Sequence, residues 1–185
     1  MDTAEEKVIS EESVAGGIFR EILYLLLKIV AIATAIVVIF TFIFGVFRYA
    51  DNAMLPAVKD GDLVFYYRLR KSYVASDLVV LNYQGKEQVR RVIATAGDVV
   101  DIKEDGTVIV NGKTLNEPYV DGKALGECDI ELPYQVPDER IFVMGDHRST
   151  SVDSRTKRIG CIAEEAVLGK VSLRIYPFKR IGTVD

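Results

Sequence analysis

One stretch constrains this chain more than any other: from Ile29 to Phe47 the sequence IVAIATAIVVIFTFIFGVF contains no charged residue, and Ile22–Leu27 extends it across Lys28. At about 1.5 Å of rise per residue, the uncharged run alone spans roughly 28 Å as a helix, close to the ~30 Å hydrocarbon core of a bilayer. A cleaved secretory signal has a shorter apolar core of about 7 to 15 residues and ends in small residues. Here the run passes through bulky aromatics into Arg48, Tyr49 and Ala50. The sequence therefore predicts one membrane-spanning helix over residues 22–47, with Lys28 near enough to its end to snorkel. A tail of residues 1–21 is expected before the helix, its first 17 acidic, polar and disordered, and a domain of residues 48–185 after it. Lys7 and Arg20 on one side nearly balance Arg48 and Lys59 on the other, so charge alone does not orient the helix.

The remaining length suits one domain, since the whole chain is 185 residues. A net charge of -4 lacks the basic surplus of nucleic-acid binders, which excludes DNA and RNA as partners. Two cysteines, Cys128 and Cys161, and one histidine, His147, cannot build a structural zinc site or a histidine cage, so no metal or cofactor is expected. The same two thiols leave a single disulfide open.

Beyond residue 50 the texture is that of short strands. Leu63–Tyr67, Leu78–Tyr83, Val89–Ala94, Val99–Lys103, Thr107–Val110, Ile141–Met144 and Val167–Tyr176 are β-rich runs separated by turn residues. Gln84-Gly85, Asp105-Gly106 and Asn111-Gly112 mark tight turns, so the middle of the domain reads as an antiparallel meander of a mainly β fold with about eight strands. Residues 117–139, with Pro118, Gly122, Gly126, Pro133 and Pro137, read as a long excursion.

Three segments carry chemistry: NAMLPAVKDGDLV at residues 52–64, QVRRVIATAGDV at 88–99, and MGDHRSTSVDSR at 144–155. In this order behind an anchor they resemble the type I signal peptidase family, membrane-bound serine endopeptidases that use a Ser and Lys pair. The resemblance implies an antiparallel β ectodomain behind a single transmembrane helix, a cytoplasmic N-terminus and an extracytoplasmic C-terminal domain. It places the nucleophile at Ala53, just before Met54, and the general base at Arg90, just before Arg91. Both reacting groups are substituted. A methyl group has no lone pair with which to attack a carbonyl, and a guanidinium stays protonated and cannot act as a base. The resemblance also assigns Asp51 to a position that assists the oxyanion hole, where a carboxylate would repel the developing charge. It assigns Ser151 to support of the base, and Asp146, Asp153 and Arg155 to ordering of the catalytic region. His147 could pair with Ser151 or Ser154, although a lone loop histidine is more often structural.

With that pair substituted, the chain resembles the signal-peptidase-like proteins encoded with Gram-positive pili, some of which lack the catalytic pair. That implies a non-catalytic factor holding an extended segment of a pilin or other secreted precursor by strand addition. Met54, Leu55, Pro56, Val89 and Val92 are the expected peptide-contacting residues. Membrane lipid and a pilin-polymerising sortase are the further expected partners. The alternative is an active signal peptidase I, removing signal peptides from secreted preproteins, whose nucleophile was replaced by Ala to trap a substrate. A third possibility is a purely structural β-domain.

Overall fold

A computed structural model describes residues 2–69 and 72–184, with residues 2–16 as backbone only. The chain divides at Phe42/Ile43 into two units.

The first unit is a helix, α1, spanning Asp2–Phe42. Its segment Gly17–Phe42 holds an 18-residue window of mean hydropathy 2.8 and none of it is buried, so it is long and apolar enough to cross a membrane. Apolar side chains all round a helix with no protein cover are the pattern of a helix solvated by lipid. Two expectations are corrected. The helical backbone begins at Asp2, within the segment expected to be a disordered tail. It also stops five residues short of residue 47, because Phe44–Arg48 is a strand, β1. Hydropathy does not separate the two elements, since the aromatic run continues through Phe47.

The second unit is mainly β, with strands β2 (Leu63–Tyr67), β3 (Leu78–Tyr83), β4 (Lys86–Thr95), β5 (Val99–Ile102), β6 (Val108–Val110), β7 (Lys113–Thr114), β8 (Tyr134–Gln135), β9 (Arg140–Met144), β10 (Ile162–Ala163) and β11 (Val167–Tyr176). Every pairing is antiparallel. A seven-stranded sheet has the order β1-β2-β11-β3-β4-β9-β10, and a four-stranded sheet has the order β7-β6-β5-β8. β2, β3 and β11 have the bounds expected from sequence. The total exceeds the expected eight because β7, β8 and β10 are two-residue strands too short to leave a periodic signal.

The β3–β4 hairpin pairs Tyr83 with Lys86 around Gln84 and Gly85, whose φ angles of 51° and 79° suit a two-residue turn of the type that matches strand twist. β4 then runs through the centre of the large sheet. Val89, Val92 and Ile93 are fully buried, each contributing about 1.5 to 3 kcal/mol. One core cluster gathers Met54, Val64, Tyr66, Val80 and Val89, and another gathers Val79, Leu81, Val92, Ile141 and Val143. β4 therefore carries core on both faces, and two arginines in its middle need buried partners.

Candidate functional site

The loop Arg48–Asp62, β4 and the loop after β9 bring the three sequence segments together. Tyr49, buried in the core, accepts the Met54 N–H on its hydroxyl at 3.0 Å. Burial, and then the neighbouring Asp51, raises that hydroxyl's pKa, so it remains a protonated phenol. At the far end of the loop, Asp62 accepts the Lys59 N–H at 3.0 Å and lies within 3.4 Å of Arg180 and 3.6 Å of Arg174. These contacts fix the loop that carries Ala53 at both ends.

Ala53 is held from two sides. Its carbonyl accepts the His147 N–H at 2.9 Å, and its own N–H reaches the Asp51 carboxylate at 3.3 Å. The other Asp51 oxygen faces the Arg90 guanidinium at 3.5 Å. The positions that the sequence assigned to nucleophile, base and oxyanion support therefore meet around one carboxylate. Asp51 is the counter-ion of Arg90 and accepts the Ala53 N–H.

Arg90 is 5% exposed. It donates to the carbonyls of Val89 at 2.7 Å and Val152 at 3.3 Å, while its Nε has no partner among the described residues. Ser151 is also buried, and its Oγ is likewise unpartnered there. The expected hydrogen bond from Ser151 to the base position is thus not formed. His147 directs its Nδ1 to Thr150 at 3.0 Å, and Ser154 Oγ accepts the Val143 N–H at 3.0 Å. Among the described residues no side-chain hydrogen bond joins His147 to Ser151 or Ser154, so the dyad is not formed.

Behind this surface lies a set of buried ion pairs. Arg91 binds Asp146 in bidentate fashion at 2.8 and 2.7 Å, donates to the Ser76 carbonyl at 2.9 Å, and lies 3.7 Å over the Tyr119 ring. Burial raises the Asp146 carboxyl above its ordinary pKa despite that guanidinium. Arg155 binds both oxygens of Asp153 at 2.8 Å, and Asp153 also accepts the Gly145 N–H at 3.0 Å. Arg148 pairs with Glu117. Sequence reasoning assigned Asp146, Asp153 and Arg155 to ordering this region. It missed Glu117, whose partner lies 31 residues away across the long excursion.

The expected peptide-contacting set is only partly at the surface. Met54, Val89 and Val92 are fully buried, and Val89 and Val92 belong to cores on opposite faces of β4, so they are corrected to supporting residues. Leu55 is half-buried and Pro56 is exposed. The surface feature next to the site is an edge. β9 pairs with β4 only from Arg91 to Thr95, so along residues 86–90 β4 has β3 on one side and, among the described residues, no strand on the other. Cys128 and Cys161, between which a disulfide was left open, are both free thiols, and burial pushes the Cys161 pKa up to about 11.

A membrane-length helix followed by a mainly β domain, with a loop, a central strand and an ion-paired turn converging on one surface, is the arrangement expected of a membrane-bound peptidase of the signal-processing type. Residues 21–176 match the profile of the family described as signal peptidase, peptidase S26, and the chain belongs to that family. It is 31% identical over 169 residues to a signal peptidase I of Bacillus licheniformis, covering 85% of this chain and 89% of that protein. Over 156 residues it is 33% identical to a signal peptidase I of Bacillus caldolyticus, covering 75% and 83%. A crystal structure of a signal peptidase I from Enterococcus faecalis aligns with a TM-score of 0.45 at 23% identity, over 55% of this chain and 97% of that one.

Proposed function

We propose that this chain is a membrane-anchored member of the signal peptidase family that binds extended segments of secreted precursors, pilins among them, without cleaving them. Residues 17–42 serve as the anchor, the N-terminus faces the cytoplasm and the β domain works outside, beside a pilin-polymerising sortase. The observation that carries this reading is the Asp51 bridge between Ala53 and Arg90. A methyl group, a permanently charged guanidinium and an occupied backbone donor together remove attack, proton transfer and oxyanion stabilisation from one site. The bare edge of β4 at residues 86–90 offers backbone groups to an added strand, and Leu55 and Pro56 stand at the surface of the neighbouring loop.

The second reading, an active peptidase with only its nucleophile replaced by Ala, leaves Arg90 and its Asp51 counter-charge unexplained. A cleavage assay on the full chain in detergent separates the two, using a signal-peptide reporter and a pilin precursor. The chain as it stands is inert, and an Ala53→Ser, Arg90→Lys variant cuts. Cleavage by the unaltered chain would refute the non-catalytic reading. Equal activity of the Ala53→Ser single variant and the double variant would favour the second.

A further inference from the structure

Beside the bare edge of β4 lies a cavity of about 250 Å³ whose lining includes Lys86, Gln88, Arg90, Val152, Arg158 and Ile159. Residues 86, 88 and 90 alternate along the strand and so share one face, spaced about 7 Å apart. Glu87, between them, acts on Tyr66, away from this row. Three cations thus line a cavity that has no acidic residue in its wall, on a chain whose net charge is -4. Asp51 faces one of them from outside the wall, at 3.5 Å from Arg90. Lys86 and Arg158 are exposed and form none of the ion pairs found among the described residues. The Arg158 backbone is fixed, because its carbonyl accepts the Tyr83 hydroxyl at 2.6 Å.

We infer that this cavity receives a carboxylate side chain, Asp or Glu, of the extended segment lying along β4, so that the chain selects precursors with an acidic residue at that point. A guanidinium and two further cations match a planar carboxylate better than an apolar or small side chain, and burial around Arg90 strengthens the attraction relative to an open surface. The inference rests on the strand-addition reading above and adds the chemistry of the occupant.

The test measures fluorescence anisotropy of the full chain in detergent against labelled nine-residue peptides of Val, Thr and Ala. Each is capped at both ends and carries one Glu or one Gln at successive positions, so the side chain is the only carboxylate. Glu peptides are expected to bind about tenfold tighter than their Gln partners at one preferred position, and to lose that margin in high salt. A Lys86→Gln, Arg158→Gln variant, both exposed sites and checked for an unchanged melting temperature, should narrow that margin severalfold, with Arg90 still in place. Equal binding of Glu and Gln peptides by the unaltered chain would overturn the acidic specificity while leaving strand addition standing. A preference undiminished in the double variant would also overturn it. Absence of binding by every peptide would overturn the groove reading and this inference with it.

Discussion

Arg90 and Asp51 face each other at 3.5 Å, and the same carboxylate turns its second oxygen to the Ala53 N–H. This geometry makes the three departures interdependent. A lysine placed at position 90 would meet Asp51 as its nearest counter-charge, which favours the ammonium form by about one to three pKa units and depletes the free amine needed as a base. The Ala53→Ser, Arg90→Lys variant is therefore expected to be a weak peptidase, and adding Asp51→Ser should raise kcat/KM at least about tenfold. The gain should be largest near neutral pH and shrink in alkali, where the lysine is neutral in either background. A pH-independent gain would place the effect of Asp51 on the oxyanion instead.

Arg91 and Asp146 are a different kind of pair, both 1% exposed, bidentate and capped by the Tyr119 ring. Removing one member leaves the other charged and buried, so Asp146→Ala should destabilise the β domain by about 3 to 5 kcal/mol, read from denaturant unfolding in detergent. An Arg91→Met, Asp146→Leu double variant should recover much of that loss, because desolvation of both charges is removed together. Loss of only about 1 kcal/mol in the single variant would show that solvent reaches the pair.

Much of this was legible in the sequence, and the reasons are specific. β2, β3 and β11 were readable because each apolar run is bounded by turn residues. Gln84-Gly85 marked the turn between β3 and β4 for the same reason, although the strand after it begins at Lys86 and not at Val89. β1 was hidden because Phe44–Arg48 continues the membrane-length apolar run, and a strand that begins two residues after a helix leaves no polar boundary. That Ala53 and Arg90 stand at the positions matching the family's nucleophile and base was legible from the resemblance of the three segments. The Asp51 bridge was not, because residues 39 positions apart meet only through the fold. The same holds for Val89 and Val92: a continuous apolar strand does not reveal which side chains a groove exposes until both faces are found covered.

Asp98 closes the turn after β4, accepting the Thr95 N–H at 2.8 Å, the Thr95 hydroxyl at 3.1 Å and the Asn111 amide at 2.7 Å. Burial opposes its ionisation, but these donors outweigh it and hold its pKa below the ordinary 3.8. A depressed folded pKa contributes stability that is fully present above the unfolded value, about pH 4, and is lost as pH falls through the folded value. Asp98→Asn should therefore lower the melting temperature at pH 6 and converge with the unaltered chain toward pH 2. Parallel curves across that range would show that the carboxylate's charge does not matter there.

Gly145 allows the third sequence segment to lie against the loop of Ala53. A Cβ at position 145 would overlap Ser151 Oγ and lie 2.5 Å from the Ala53 carbonyl oxygen and 2.6 Å from Ser151 Cβ. Ser151 alone could relieve part of this by shrinking, but the Ala53 oxygen is backbone and is already fixed by the His147 N–H. Gly145→Ala is expected to destabilise by about 1 to 3 kcal/mol, the usual cost of overpacking. Ser151→Ala, which removes a buried hydroxyl without a partner among the described residues, should be neutral or slightly stabilising. If the backbone oxygen sets the limit, combining the two leaves most of the Gly145→Ala loss in place. Full rescue in the double variant would instead identify the Ser151 hydroxyl as the only obstacle and leave the Ala53 loop free to move.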